Sequence, residues 1–261
     1  MTMLSGSKHK FLVESALLTH GLYSVSDDEI RHELAPLAPL IAYLQDGQVI
    51  LGDVEQYLTF RGKAQAFPRI DCFSLEKARE NGTSAALTAS GTMAVAKERG
   101  IGLVISCGIG GIGHNVGDES FCPDLPALAD IGVTLLATAF KDMIDLEASF
   151  DWLKARGVKT YGVDTDLADG YLFRLKPYAI DGVYGGQEDA RLILQPIPLT
   201  TRLSSDDWLE TGIAAGEKAF AAGQAYHPAV NRTFDKLSNG ESSRMQLKAL
   251  ARNVELAKRW T

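Results

Sequence analysis

The sequence predicts an α/β protein. Apolar runs of strand length alternate with amphipathic segments of helix length along most of the 261 residues, an alternation typical of this class. The composition is 46% hydrophobic, which suffices for the core of one large domain. Neither an internal repeat nor a low-complexity linker divides the chain, so residues 1–261 are predicted to form a single domain.

The first part of the chain shows clear helix and turn signals. Asp27 and Asp28 follow Ser26, and acidic residues in a first turn favour a helix start, which Pro36 then ends. Asp46-Gly47 between two apolar runs is a hairpin signal. The predicted elements are, in order, a strand over residues 11–18, a helix over 26–33, hairpin strands over 40–45 and 48–51, a short helix over 53–60 and a helix over 94–99.

The second part continues the alternation. A buried strand over residues 101–107 leads into the glycine-rich loop GIGGIGHNVG, residues 108–117. The elements predicted after it are a helix over 125–130, a strand over 133–140, a helix beginning at Asp142, strands over 160–163 and 190–194, and helices over 206–222 and 243–260.

Composition excludes several functional classes. The formal net charge is −7 and there is no run of basic residues, which disfavours binding to nucleic acid or to an anionic membrane. No apolar stretch reaches membrane-spanning length, and the N-terminus lacks the apolar core of a signal peptide. Cys72, Cys107 and Cys122 form no CxxC pair and are predicted to be reduced thiols. We therefore expect a soluble cytoplasmic protein.

Lys141 is the strongest candidate for chemistry. It lies between the apolar run 133–140 and the helix predicted from Asp142. The positive end of a helix and adjacent apolar surface both favour the neutral amine over the ammonium. A neutral amine forms an imine with a carbonyl or an opened sugar. The alternative is an ordinary solvated lysine at a strand-to-helix turn.

The glycine-rich loop satisfies the dinucleotide pattern G-x-G-x-x-G at residues 108–113. That pattern needs a helix to open at its third glycine, whereas the segment that follows is broken by Gly117 and Pro123. A loop that lets the backbone approach a small ligand is favoured instead. The five histidines show no metal-ligand spacing, and only His114, inside this loop, is placed near a site.

Two polar features have two interpretations each, and two aspartates have one. Glu14 interrupts an apolar strand, so it is either an ion-paired structural residue or a general acid/base. The Thr/Ser-rich segment 83–93 suits either a phosphate or a simple helix cap. Asp124 precedes the predicted helix 125–130 and is a candidate N-cap, and Asp145 is predicted to be structural.

Several segments occur in an order that points to one family. They are VESALLTHG (13–21), AYLQDGQVILGDVEQYL (42–58), NGTSAALTASGTM (81–93), GIGGIG (108–113), DLPALADIGVTLLATAFKDMIDL (124–146) and QPIP (195–198). Together they resemble the pseudouridine-5′-phosphate glycosidase family, which includes indigoidine-synthase-A-like proteins and related C-glycoside synthases. The resemblance runs from about residue 10 to residue 258.

The resemblance implies a three-layer α/β/α sandwich with a central mixed sheet, assembled as a homotrimer. It implies a C-glycosidase that converts pseudouridine 5′-phosphate or a related C-nucleotide to ribose 5-phosphate and uracil. Lys141 would form the imine and Glu14 would be the acid/base. The implied substrate-binding residues are Asp124, His114, Ala89, Gly110, Lys63 and Arg69. Two alternatives stay open: a C-glycoside synthase that uses another heterocycle, and a non-catalytic sugar-phosphate-binding paralogue.

The sequence departs from the family pattern around the expected pocket. The family holds a divalent metal, usually manganese, through an aspartate, and here Cys122 falls at that position in a shortened stretch, 121–124. Ala66 stands where a lysine contacts the substrate phosphate, which leaves Lys63 and Arg69 as the nearest cations. A family asparagine in the C-terminal helix looks replaced by Arg244, and the asparagine of Asn-Pro-Ile-Pro by Gln195.

Overall fold

The computed structural model describes residues 11–113, 122–224 and 226–260. Within them the chain builds a three-layer α/β/α architecture around a mixed sheet. The strands are β1 (Phe11–Glu14), β2 (Ile41–Gln45), β3 (Gln48–Gly52), β4 (Arg69–Ile70), β5 (Ala85–Leu87), β6 (Leu103–Ile105), β7 (Gly108–Ile109), β8 (Ile112–Gly113), β9 (Thr134–Ala137), β10 (Ala139–Phe140), β11 (Ile144–Asp145), β12 (Lys159–Gly162), β13 (Leu167–Ala168), β14 (Tyr178–Ala179) and β15 (Ala190–Leu194).

The helices alternate with these strands, as the sequence predicts. They are α1 (Ala16–His20), α2 (Asp27–Leu34), α3 (Val54–Ala64), α4 (Leu75–Glu80), α5 (Ala89–Glu98), α6 (Asp124–Asp130), α7 (Leu146–Ala155), α8 (Asp206–Ala221), α9 (Tyr226–Leu237) and α10 (Glu241–Trp260), with short 3₁₀ turns at Ala35–Leu37 and Leu199–Thr201. No helix in the described part of the chain is long and apolar enough to cross a membrane.

The central sheet has the order β12-β15-β9-β6-β1-β2-β5-β4, with β3 paired to β2. The run from β12 to β2 is parallel, while β3 and β5 lie antiparallel to β2. Helix α5 packs on β1 and β6 and is joined by α6, whereas α10 packs on β6 and β9 and is joined by α2. Because the central strands are covered by helices, β1, β6 and β9 are almost wholly buried. The predicted fold class is therefore confirmed.

Local signals placed several elements correctly. The hairpin of β2 and β3 turns at Asp46 and Gly47, whose φ angles of 50° and 76° are the left-handed values that such a two-residue turn requires. Ser26 caps α2 in a capping box with Glu29, and Asp53 caps α3. Helix α3 runs to Ala64, four residues beyond its predicted end.

Other boundaries differ from the prediction. The strand predicted over residues 11–18 ends at Glu14, because Ser15 leaves the strand direction and bonds through its hydroxyl to Ala42 O and Leu87 N. Helix α5 begins at Ala89, five residues earlier than predicted, since Thr88 caps it. The helix predicted from Asp142 begins at Leu146. Helix α9 was not predicted as a separate element.

Candidate active site

A cavity of about 840 Å³ opens at the carboxyl ends of the central parallel strands. In the sheet register Val13 lies opposite Ile105, and Ile105 lies opposite Leu136, so the residues that follow each strand emerge side by side. This is the edge at which open α/β sheets bind their ligands. Five of the predicted site residues line the cavity: Glu14, Arg69, Ala89, Asp124 and Lys141.

Glu14 ends β1 and is 6% exposed. Burial raises the pKa of its carboxyl from 4.5 to about 7. The hydroxyl of Ser106 donates a 2.7 Å hydrogen bond to Oε1 and lowers that pKa, the charge of Asp124 raises it, and the charges of Lys141 and Arg69 lower it. A carboxyl with this pKa is present in both protonation states near neutral pH, as a general acid/base requires.

Lys141 follows β10, whose pairing with β7 places it next to the glycine-rich segment. Its backbone N–H donates to Ile109 O over 3.0 Å. The position of a Cβ on Gly108 would lie 3.1 Å from Lys141 Cγ, so the lysine stem rests directly on that glycine. The helix expected at its side starts only at Leu146, where Asp145 is the N-cap. The prediction that Lys141 lies at the N-terminus of a helix is therefore wrong.

Asp124 binds two backbone segments of the cavity wall. Its Oδ1 accepts the N–H of Ser90 over 3.0 Å and its Oδ2 accepts the N–H of Gly110 over 3.3 Å. Ser90 lies in the first turn of α5, where a carboxylate is favoured by the helix dipole. Asp124 is not the predicted N-cap of α6, because its side chain is engaged with these groups and Pro123 occupies the cap position. In the Thr/Ser-rich segment 83–93, the predicted helix cap is present: Thr88 caps α5, and its hydroxyl accepts the N–H of Gly91.

The two candidate phosphate-binding cations differ in position. Arg69, in β4, lines the cavity, and no carboxylate of the described residues forms an ion pair with it. Lys63 lies exposed near the end of α3 and is not among the cavity-lining residues. Gly110 contributes through its N–H to Asp124, and the predicted site residue His114 lies outside the described residues.

Helices α8 and α9 form one wall of the cavity, and none of the residues of this wall was predicted as a site residue from the sequence. They contribute Ile213, Glu217, Phe220, Tyr226, His227, Pro228 and Asn231. Burial and the positive charges of Lys141 and Arg69 lower the pKa of His227 well below its usual value, so its imidazole is neutral. The amphipathic spacing of Val230 and Phe234, both buried, was the available signal for α9.

Among residues 11–113 and 122–224, the donor groups near Asp124 do not fit the manganese ion that the family resemblance implies. Burial raises the pKa of the Cys122 thiol, which donates to Asp124 Oδ2 over 3.5 Å, so this thiol is protonated. Manganese prefers carboxylate, carbonyl and water oxygens. Among residues 11–113, 122–224 and 226–260, no three His, Cys, Asp or Glu side chains are grouped closely enough to hold a metal ion.

The two other departures from the family pattern lie away from the cavity lining. Arg244, in α10, pairs with Glu29 over 2.9 Å and with Glu241 over 3.6 Å at the protein surface. Gln195 follows β15, and its buried Oε1 has no hydrogen-bond partner within the described structure.

Chemically, the cavity combines an amine, a carboxyl that titrates near neutral pH, a cation and an aromatic and apolar wall. An amine and an acid in one partly enclosed cavity suit imine formation with a carbonyl compound. An arginine in the same cavity suits an anionic group on that compound.

Sequence comparison identifies relatives over most of the chain. The family model described as Indigoidine synthase A like protein matches residues 12–180. A pseudouridine-5′-phosphate glycosidase of Thermus thermophilus is 28% identical over 272 residues, covering 95% of this chain and 94% of the relative. The enzyme of the same name from Petrotoga mobilis is 24% identical over 274 residues, covering 94% of this chain and 88% of the relative.

Two solved structures share the fold. An indigoidine synthase A-like protein from Thermotoga maritima aligns with a TM-score of 0.80 at 18% identity, covering 95% of this chain and 90% of that one. The prealnumycin C-glycosynthase AlnA, solved in complex with ribulose 5-phosphate, aligns with a TM-score of 0.73 at 18% identity, covering 96% and 93% of the two chains.

Proposed function

Because this chain belongs to the indigoidine synthase A-like family, we propose that it is an enzyme that breaks or forms the C–C glycosidic bond of a ribose 5-phosphate C-nucleotide. The substrate that we favour is pseudouridine 5′-phosphate, which with water gives ribose 5-phosphate and uracil. The observation that carries the proposal is that Lys141 and Glu14 line one cavity and that the pKa of Glu14 is raised to about 7.

A C-glycosidic bond explains why an amine is useful here. Most glycosidases protonate the leaving oxygen with a carboxylic acid. A carbon leaving group has no lone pair to accept that proton, so the bond must break with its electron pair moving onto the heterocycle. An amine bonded to the anomeric carbon assists that step, because its nitrogen lone pair forms a C=N bond as the C–C bond breaks.

The steps follow from these two side chains. Protonated Glu14 gives its proton to the ribose ring oxygen, the ring opens, and the Lys141 amine bonds to the anomeric carbon. The nitrogen lone pair then forms the C=N bond as the C–C bond breaks, and the ring carbon of the base takes up a proton. Water adds to the imine and releases ribose 5-phosphate from Lys141. The reverse sequence describes synthesis from the same intermediate.

Other cavity residues have binding roles in this proposal. Arg69 binds the phosphate, because its guanidinium matches phosphate geometry and has no ion pair within the described structure. Asp124, held by Ser90 N and Gly110 N, orients the sugar or the base. We also propose that the protein assembles as a homotrimer, as the family resemblance implies. Light scattering tests this, because a trimer has three times the mass of one chain.

The direct test is imine trapping. The protein is incubated with ribose 5-phosphate and borohydride, and the sugar adduct is sought by mass spectrometry of peptides that contain Lys141. We expect the adduct in the wild type and in Lys63→Ala, and its loss in Lys141→Ala and Lys141→Arg. A wild type that forms no adduct would reject the enzymatic proposal and favour a sugar-phosphate-binding protein.

A product assay then distinguishes the two enzymatic directions. Release of uracil from pseudouridine 5′-phosphate supports the glycosidase. Adduct formation without uracil release, together with coupling of ribose 5-phosphate to another heterocycle, supports the synthase.

A further inference from the structure

A buried carboxylate lies immediately after Lys141 in the chain. Asp142 is 3% exposed, and its side chain accepts the backbone N–H groups of Tyr171 over 2.7 Å, Leu172 over 2.8 Å and Phe173 over 3.3 Å. Three donors on one buried carboxylate fix the segment that carries them. Arg202 adds to this by donating to Phe173 O over 3.3 Å. The segment 171–173 is thereby fixed relative to the residue that follows Lys141.

Tyr171, which this segment carries, packs beside Gly108 and Lys141 on the side away from the cavity. Its side chain is 1% exposed and does not line the cavity. The position of a Cβ on Gly108 would lie 2.8 Å from Tyr171 Cε1 and 3.1 Å from Lys141 Cγ. The tyrosine ring and the lysine stem therefore share the space beside one glycine, and the ring limits where the stem can lie.

The far end of the tyrosine is anchored as well. Its hydroxyl donates to Cys107 Sγ over 2.9 Å and lies 3.2 Å from Gln246 Oε1. Burial raises the pKa of Tyr171 well above its usual range, so the hydroxyl keeps its proton. Burial likewise raises the pKa of Cys107 to about 12, so its sulfur is a neutral acceptor.

This network continues to Glu14. Cys107 Sγ lies 3.4 Å from Thr138 Oγ1, and Asn253 Nδ2 donates to Thr138 Oγ1 over 3.0 Å and to Ser106 O over 2.8 Å. Ser106 in turn donates to Glu14. A set of buried hydrogen bonds therefore connects Tyr171, which packs beside Lys141, with Ser106, which bonds to Glu14.

We propose that Tyr171 is a positioning residue for Lys141. Fixed by Asp142 at its backbone and by Cys107 and Gln246 at its hydroxyl, the ring confines the lysine stem over Gly108 so that the amine is held toward the cavity. The catalytic consequence rests on the proposed function, because confinement of an amine matters most where that amine must attack one carbon. A loss of orientation of this kind costs on the order of tenfold or more in rate.

The test compares Tyr171→Phe with Tyr161→Phe. The second variant removes a hydroxyl that lies 3.4 Å from Asp189 at the sheet edge formed by β12, away from this network. At saturating ribose 5-phosphate we expect imine trapping about tenfold slower in Tyr171→Phe and unchanged in Tyr161→Phe. The half-saturating concentration should stay the same, since Tyr171 does not line the cavity. An unchanged trapping rate in Tyr171→Phe would overturn the proposal.

Rescue distinguishes positioning from general stability. Cys107→Ser keeps an acceptor for the tyrosine hydroxyl and should trap near the wild-type rate, whereas Cys107→Ala leaves Gln246 Oε1 as the remaining acceptor and should trap more slowly than Cys107→Ser. Equal rates in the two cysteine variants would contradict the hydrogen-bond anchorage.

A second measurement does not depend on the substrate. Lysines are labelled with ¹³C-methyl groups by reductive methylation, and the Lys141 signal is assigned by its absence in Lys141→Arg. We expect a signal displaced from those of solvated lysines in the wild type and in Tyr161→Phe, and movement toward the solvated position in Tyr171→Phe. If the signal moves while the wild type traps no sugar, the proposed function fails and the positioning role stands. If it does not move, the positioning role is wrong.

Discussion

Ser106 donates a 2.7 Å hydrogen bond from its hydroxyl to Glu14 Oε1, and these residues lie at the ends of neighbouring parallel strands. Burial raises the pKa of Glu14, and this hydrogen bond is the strongest effect that lowers it. We expect Ser106→Ala to raise the pKa of Glu14 further. Because the protonated carboxyl gives the proton in ring opening, the rate of imine trapping should then begin to fall at a higher pH than in the wild type.

The matched control is Ser242→Ala. Ser242 is fully buried, and its hydroxyl has no hydrogen-bond partner within the described structure. Its pH profile should coincide with that of the wild type. If the Ser106→Ala profile also coincides with that of the wild type, Glu14 is not the group that gives the proton.

Stability should also depend on the titration of Glu14. Its folded pKa of about 7 exceeds the ordinary 4.5, so the folded protein binds this proton more tightly than the unfolded chain does. The resulting stabilisation is complete below pH 4.5 and is lost as pH rises to 7, by up to about 3 kcal/mol. In urea unfolding at pH 5 and pH 8, the wild type should lose stability relative to Glu14→Gln at the higher pH. A difference that is constant with pH would be inconsistent with a buried, titrating Glu14.

The sequence predicted the fold well where the signals are local. Asp46 and Gly47 specify their own turn, and Ser26 and Asp53 cap helices with partners three residues away. The boundaries that failed depend on distant groups. Ser15 ends β1 by bonding to Ala42 and Leu87.

The same distinction applies to the site. Lys141 and Glu14 were recognised as unusual residues in apolar surroundings, but their common cavity depends on the strand order β9-β6-β1, which no local pattern encodes. Asp142 was expected to begin a helix, whereas it accepts hydrogen bonds from Tyr171 and Leu172, some thirty residues away in the sequence. His227 was missed because α9 was not predicted.

Asp124 should be sensitive to the loss of one carboxylate oxygen. Both oxygens accept backbone N–H groups, from Ser90 and Gly110. In Asp124→Asn the amide nitrogen would face one of these donors, so a buried N–H loses its acceptor, at a cost of about 1–3 kcal/mol. Urea unfolding should show this loss, together with slower imine trapping. Asp53→Asn is the control, because Asn caps a helix as well as Asp does and this cap is exposed, so the stability should not change.

The two candidate phosphate-binding cations give a matched pair of variants. Arg69 lines the cavity, whereas Lys63 is exposed outside it. Arg69→Ala should raise the ribose 5-phosphate concentration needed for half-maximal trapping by about tenfold or more, since a charge-assisted hydrogen bond contributes about 1.5–3 kcal/mol. Lys63→Ala should leave that concentration unchanged. The reverse result would assign the phosphate to the end of α3.

Gly110 allows the close packing of the glycine-rich segment against the stretch that begins at Cys122. A Cβ at Gly110 would overlap the Cys122 sulfur and lie 2.7 Å from its Cβ. We therefore expect Gly110→Ala to destabilise the protein by about 1–3 kcal/mol and to slow imine trapping, because Asp124 accepts the Gly110 N–H. Adding Cys122→Ala removes the overlapping sulfur and should restore part of the stability. Gly62→Ala, in α3 with open space around it, should instead stabilise the protein by about 0.5–1 kcal/mol. Equal effects of the two glycine substitutions in urea unfolding would contradict the packing of Gly110 against Cys122.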